Sequence, residues 1–285
     1  MSMQTLSPER VSTRGVPVPA ATPATGEAGT AGFLIVNADD WGRDSQTTRM
    51  ILDCVTQGAV SSVSAMVFME DSERAAAIAR ERGVDAGLHL NFTAPFSAGQ
   101  CSAVLIERQR RLARHLRRHR FAQMVFHPGL MGAFEYVVKA QIDEYARLYG
   151  TRPTRLDGHH HMHLCANVLL QRLLPAGTLV RRNFSFQAGE KGAHNRLYRR
   201  FVDGLLGRRH QLADYLFNLV PLADTDRLQR ILTLARGSVI ELETHPVAPD
   251  EYEFLTGGEF FRRLGDVRVA PASMLSDRHG IRGDR

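Results

Sequence analysis

Short apolar runs that alternate with helix-like stretches, and that end in titratable side chains, constrain this chain more than any other feature. Phe33-Leu34-Ile35-Val36-Asn37-Ala38 is apolar and β-branched, as expected of a buried parallel strand, and it runs into Asp39-Asp40-Trp41-Gly42. Val63-Ser64-Ala65-Met66-Val67-Phe68 precedes a helix-like stretch from Ser72 to Arg82, and Val239-Ile240-Glu241-Leu242-Glu243 precedes one from Gly258 to Leu264. Such βαβα alternation argues for a parallel sheet or barrel whose loops gather at the strand C-termini. The length of 285 residues allows one α/β barrel or two smaller domains. No linker interrupts residues 33–275, so the expected fold is a single α/β domain, a (β/α) barrel-like (TIM-barrel-like) architecture that can be irregular.

The run ends carry the chemistry. Leu156-Asp157-Gly158-His159-His160-His161-Met162-His163 follows a helix end, a Gly stop at Gly150, Pro153 and a short strand. A cluster of imidazoles at a strand end suits a site better than a tail, because neutral imidazole is the commonest metal-ligating side chain. Adjacent Asp39 and Asp40 are costly to desolvate unless something positive lies near. His89, in Asp85-Ala86-Gly87-Leu88-His89-Leu90-Asn91-Phe92-Thr93, would alone pass for a core histidine. With the carboxylate pair and the His cluster it completes a recurrent set, two imidazoles and one carboxylate, for a divalent ion with open positions.

Asn37-Ala38-Asp39-Asp40-Trp41-Gly42, Gly87-Leu88-His89-Leu90-Asn91-Phe92-Thr93, Leu156-Asp157-Gly158-His159-His160-His161-Met162-His163 and Thr244-His245-Pro246 occur in this order. Together they resemble the YdjC/ChbG-like carbohydrate deacetylase family, which includes the hopanoid-associated HpnK branch. The resemblance runs from Phe33 to the Ser273 region and is weaker between Ala94 and Phe134. It implies a barrel-like fold, an N-deacetylase activity, and one metal ion held by Asp40, His89 and His159. Mg²⁺ is the ion the resemblance implies, whereas a His-rich set physically favours Zn²⁺, Co²⁺ or Ni²⁺. Trp41 stands where the family usually has Phe, and Gly158 where it usually has Ser. Trp41 is therefore expected to reshape the pocket mouth as part of a substrate patch.

Amide hydrolysis needs an activated water, stabilisation of the oxyanion and a proton for the departing amine. A divalent ion supplies the first two. Asp39, beside the ion, is the expected general base, and His245, at the strand end Glu241-Leu242-Glu243-Thr244-His245-Pro246, the expected acid; a structural hydrogen bond at the rim is the plainer role for His245. Asp157 is expected to orient a ligand histidine or to tune Asp39. If the His run is extended, His159 and His161 share a face, which makes His161 the reserve ligand. His127, in Phe126-His127-Pro128-Gly129, is within expected reach of substrate.

Residues 1–32, rich in Ser, Thr, Pro, Ala and Gly, read as a disordered tail without a signal-peptide core or membrane span, and residues 276–285 as a loose end. Cys54, Cys101 and Cys165 are odd in number and widely spaced, which argues against a disulfide scaffold. Both features suit the cytoplasm, and Cys165 reads as a buried inert thiol. The net charge of +6 is concentrated in residues 107–121, an expected amphipathic helix with Leu105, Leu112 and Leu116 packing down. A solvated face is the plainest account of its arginines. A patch including Arg111 and Arg118 for an anionic substrate or a membrane surface comes next, and nucleic acid last, so no nucleic-acid partner is expected. A second basic stretch, from Arg196 to His210, reads as helical packing. The expected partner is an acetylated amino sugar or its conjugate; peripheral membrane contact and homo-oligomerisation stay open. Beside the deacetylase stand two other classes, a metal-dependent barrel hydrolase such as a phosphoesterase and a non-catalytic basic metal-binding module.

Overall fold

The computed structural model describes residues 32–119, 121–186 and 190–275. The expected tails, 1–32 and 276–285, lie outside these residues except for Gly32. Within these residues seven parallel strands form one sheet in the order β5-β4-β3-β2-β1-β7-β6. They are β1 (Phe33–Trp41), β2 (Ser62–Ala65), β3 (Ala86–Leu90), β4 (Arg155–Gly158), β5 (Leu179–Val180), β6 (Tyr215–Asn218) and β7 (Val239–Thr244). Among the described residues nine α-helices accompany them: α1 (Ser45–Thr56), α2 (Ser72–Arg82), α3 (Ala103–Leu116), α4 (Met131–Tyr149), α5 (Ala166–Leu170), α6 (Ala193–Leu206), α7 (Thr225–Ala235), α8 (Pro249–Thr256) and α9 (Glu259–Leu264). Among the described residues β5 and β6 do not pair, so the sheet is a curled half-barrel rather than a closed one.

Local chemistry sets the helix ends. The carboxylates of Asp44 and Asp224 and the hydroxyl of Ser102 accept from backbone N–H groups in the first turns of α1, α7 and α3, satisfying donors that no helical carbonyl can reach. α4 stops at Gly150, whose φ of 78° closes the helix in a left-handed turn that a side chain would oppose.

The strands alternate by face, and the alternation positions the site. Leu34, Val36 and Ala38 of β1, Val63 and Ala65 of β2, Leu88 and Leu90 of β3, Leu156, Val180, Ile240 and Leu242 belong to the main apolar core. The intervening residues start apolar, with Phe33, Ile35, Leu179 and Val239 in a second, smaller cluster. Further along the sheet the same face becomes polar: Asn37 and Asp39 of β1, Ser62 and Ser64 of β2, His89 of β3, Arg155 and Asp157 of β4, Glu241 and Glu243 of β7, all buried. The half-barrel therefore has an apolar floor and an ionisable interior above it. Burying that many charges is tolerable only if they compensate one another.

Candidate metal centre

Asp39 and Asp40 enter the interior together because β1 does not end as a regular strand. Its register to β2 shifts between Ala38 and Trp41, and Asp40 adopts φ 69°. A left-handed carboxylate residue costs about 1–2 kcal/mol. The bulge sends the two side chains to different neighbours. Asp40 Oδ1 lies 3.0 Å from His159 Nδ1 and 3.5 Å from His89 Nε2, while Asp40 Oδ2 accepts from Arg43 at 2.9 Å. Asp39 instead faces Arg181, whose Nη1 and Nη2 each donate to one of its oxygens at 2.7 Å.

The same turn corrects the expectation for Trp41. Its side chain is fully buried in the main core, so it forms no part of a pocket mouth or substrate patch. The His run is corrected as well. It is not extended: residues His159–Leu164 form a 3-10 turn, with His160 and His161 in left-handed conformations at φ 55° and 56°. Alternation of faces consequently does not apply. His159 turns to Asp40, whereas His161 lies 3.3 Å from Glu243 and His160 lies 3.1 Å from the Thr93 hydroxyl. His163 is buried; its Nε2 donates to the backbone carbonyl of Arg181 at 2.9 Å, and burial followed by the nearby His161 pushes its pKa down to about 3.

Arg181, which immediately follows β5, is the residue that sequence reasoning missed. Besides Asp39 it bonds Glu241 at 2.7 Å and Glu243 at 3.1 Å, and it lies 3.1 Å from Asp157. Arg155 donates to Asn37 Oδ1 at 2.7 Å and to the carbonyl of Val63 at 2.6 Å. Asn37 in turn donates to Asp39 and to Ser64, both at 2.8 Å, and the Ser64 hydroxyl donates to Asp157.

His89 is held from behind, its Nδ1 lying 2.7 Å from Asp157 Oδ1, so Nε2 points at the Asp pair. Burial alone would favour neutral imidazole, but Asp39, Asp157 and Asp40 outweigh it and push the pKa of His89 up to about 10. The same surroundings hold the carboxyls of Asp39, Asp40 and Asp157 well below the usual range in spite of burial: Arg181 and then His89 for Asp39, His159 and His89 for Asp40, Arg181, His89 and Arg155 for Asp157. Glu241 moves the other way, because its burial outweighs Arg181.

Asp40, His89 and His159 offer three ligand atoms within 4.8 Å of one another. Metal–ligand bonds of about 2.0–2.1 Å in a tetrahedron set ligand atoms about 3.3 Å apart, close to the spacings from Asp40 to the two imidazoles. A carboxylate oxygen that close to two ring nitrogens is repelled unless a proton or a cation lies between them. Asp40 Oδ1 is buried and has no conventional hydrogen-bond partner among the described residues. Two imidazole nitrogens and one carboxylate oxygen are a recurrent donor set for a divalent cation. The residues therefore fit such an ion. Asp39, Glu243 and His245 also cluster, but Arg181 already bonds Asp39 and Glu243 there and stands where a second cation would.

His245 sits at the rim, about a third exposed, with Nε2 4.0 Å from both Asp39 Oδ2 and Glu243 Oε1. Its backbone N–H donates to Glu251 at 2.8 Å, which fixes the turn after β7. His127 does not join the group; its ring packs edge-on against His115 at 4.9 Å. Arg111 and Arg118 are exposed at and just beyond α3, which ends at Leu116 rather than continuing to residue 121. Leu105, Leu112 and Leu116 are buried as expected. In α6, by contrast, Leu197 and Phe201 face solvent, so that stretch is only partly packing. Cys165 is buried and its thiol is pushed up to about 12 by that burial, which keeps it unreactive.

The YdjC-like protein family model matches residues 33–267, the whole half-barrel and every residue of the centre described above. The chain belongs to the YdjC-like family. It is 29% identical to the carbohydrate deacetylase of Mus musculus over 148 residues, 47% of this chain and 44% of the mouse protein. It is 24% identical to the chitooligosaccharide deacetylase of Yersinia enterocolitica over 251 residues, covering 85% of this chain and 92% of that one. The chain thus spans less than half the length of the mouse protein. A crystal structure from Enterococcus faecalis V583, of a protein assigned without proof of activity to cellobiose-phosphate cleavage, shares the fold with a TM-score of 0.59 at 18% identity, covering 85% of this chain and 98% of that one. No helix among the described residues is long and apolar enough to cross a membrane.

Proposed function

We propose that this chain is a metal-dependent hydrolase that removes the N-acetyl group from an acetamido sugar or its conjugate. The observation that carries the reading is the convergence of Asp40, His89 and His159 at one buried point, with the ionised Asp39 beside it, in a family whose named relatives include carbohydrate deacetylases. Asp40, His89 and His159 would hold one divalent ion. When bound, that ion acidifies a water molecule and polarises the acetyl carbonyl. Two nitrogen donors and one oxygen donor suit Zn²⁺, Co²⁺ or Ni²⁺ better than Mg²⁺.

Asp39 is the general base. Arg181 keeps it ionised at neutral pH and aims it through a two-point contact, at the cost of some basicity. His245, on the exposed side of Asp39, is the acid that returns a proton to the departing sugar nitrogen. Asp157 fixes the ring of His89, and His161 pairs with Glu243 rather than serving as a ligand. Arg181 argues against a two-ion phosphoesterase, because its guanidinium occupies the second carboxylate cluster.

Acetate release from a panel of acetylated amino sugars, with the metal content of the purified protein measured alongside, tests this reading. Acetate release with about one ion per chain is expected, with both lost in His89→Ala and His159→Ala. Phosphate release from a phosphate ester, or metal retained in both variants, would overturn it.

A further inference from the structure

The C-terminal half of α3 and the turn before α4 flank an open, shallow groove of about 760 Å³ on the protein surface. Arg111, Arg114, Arg117, Arg118, His115 and His127 line it, with Leu130 as the apolar wall; no carboxylate contributes. Among the described residues, none of these four arginine side chains forms an ion pair or hydrogen bond. Basic side chains near a helix C-terminus do complement its partial negative charge, but that effect fades within the last turn. It covers Arg114 and His115 at the end of α3, not a cluster that continues to Arg117 and Arg118. Four guanidinium groups around one concavity set up a positive potential that favours an anion.

His115 lies between the arginines on the groove wall, its ring edge-on to that of His127. The opposite wall is also fixed in place: His127 donates its backbone N–H to Asn167 Oδ1 at 2.9 Å and accepts from Asn167 Nδ2 at 3.0 Å, which ties the turn to α5. Arg111 and Arg114 are three residues apart and project from one side of α3, and Arg117 and Arg118 follow in the turn after it. Planar guanidinium groups arranged this way match the oxygens of a phosphate, which they can bind two at a time.

We propose that this groove is a phosphate-binding site, taking the phosphate of a soluble ester or of a lipid headgroup. The test is independent of the deacetylase reading, since occupancy is measured without turnover. Inorganic phosphate is titrated into the full-length protein by calorimetry, using the wild type, Arg114→Gln/Arg118→Gln and Arg114→Lys/Arg118→Lys. The wild type binds saturably. The Gln variant weakens binding by about tenfold or more for each guanidinium removed. The Lys variant, with its charge kept and its fork lost, falls between the two. Equal thermal unfolding of the three proteins shows that these exposed positions leave the fold intact.

Co-sedimentation with phosphatidylglycerol and phosphatidylcholine vesicles identifies the source. Binding to the anionic vesicles alone, lost in the Gln variant and displaced by inorganic phosphate, assigns the site to a lipid headgroup. Saturable phosphate binding without vesicle binding assigns it to a soluble ester. Absence of saturable binding by the wild type, or equal binding by wild type and Gln variant, overturns the proposal.

Discussion

Arg181 bonds both oxygens of Asp39 at 2.7 Å although β5, which it follows, is four strands away from β1 in the sheet. Strands about 4.8 Å apart would set these elements about 19 Å from each other in a flat sheet, well beyond an arginine side chain. The contact exists because the sheet curls until its edge faces its middle. Arg181 then spans the interior, bonding β1 and β7 and lying beside β4. One guanidinium group thereby links the curvature of the fold to the geometry of the candidate base, and His163 secures it by holding the Arg181 carbonyl.

Replacing Arg181 by Met should therefore damage the fold as well as the site. Asp39, Asp157, Glu241 and Glu243 would face one another with much of their compensating charge gone. Removing one member of a buried ionic network typically costs about 3–5 kcal/mol. Arg181→Lys keeps a charge but loses the two-point contact, and should cost less. Urea unfolding at neutral pH measures both variants. A loss under about 1 kcal/mol for Arg181→Met would show that the network relaxes around the missing charge, contrary to this account.

In the proposed metal centre Asp157 would act on the ion through His89. Because its Oδ1 fixes the imidazole from the far side, Asp157→Asn should weaken metal retention by about 10–100-fold while all three direct ligands remain. A chelator competition series, with the metal content of wild type and variant compared at each step, reads this out. Equal retention would mean that packing alone orients the ring.

The half of the site that was legible in the sequence lies at run ends where an apolar stretch meets a titratable residue: Asp39, Asp40, His89, His159 and His245. Arg181 was hidden because β5 contributes only Leu179 and Val180, too short for a recognisable run. Glu241 and Glu243 alternate with Ile240 and Leu242, a pattern that equally describes a strand with one face in water. Only the curled sheet shows that this polar face is an interior. Trp41 was misread because no residue pattern announces the left-handed turn at Asp40 that sends the indole into the core.

Buried His163 makes the metal-free fold sensitive to mild acid. Its imidazole ordinarily titrates at 6.5 and is held down to about 3 in the folded chain. The unfolded state binds more protons between those values, so this contribution is complete above pH 6.5 and is lost as pH falls toward 3. His163→Gln should flatten the dependence of unfolding free energy on pH by about 1.4 kcal/mol per pH unit within that window. Denaturant titrations of metal-free wild type and variant at about pH 4.5, 5 and 6 test the slope, and the upper part of that range lies above the titration of the paired carboxylates. Parallel slopes would show that His163 is protonated in the folded protein.

The adjacent carboxylates offer the sharpest division of roles, because the bulge in β1 gives each its own neighbours. Asp40 Oδ1 faces His89 and His159, whereas both oxygens of Asp39 are turned to Arg181 and one of them lies 4.0 Å from His245. Asp39→Asn should therefore keep the ion, because no direct ligand changes, and should lose turnover by about 10²–10⁴-fold, the usual effect of removing a general base. Asp40→Asn should lose the ion and the activity together, with partial recovery in excess metal. The two outcomes do not depend on which sugar is turned over, provided one substrate serves for both variants. Metal analysis and acetate release on the pair decide the matter. An Asp39→Asn protein that sheds the ion beside an Asp40→Asn protein that keeps it would reverse the two roles and place the cation in the Arg181 cluster instead.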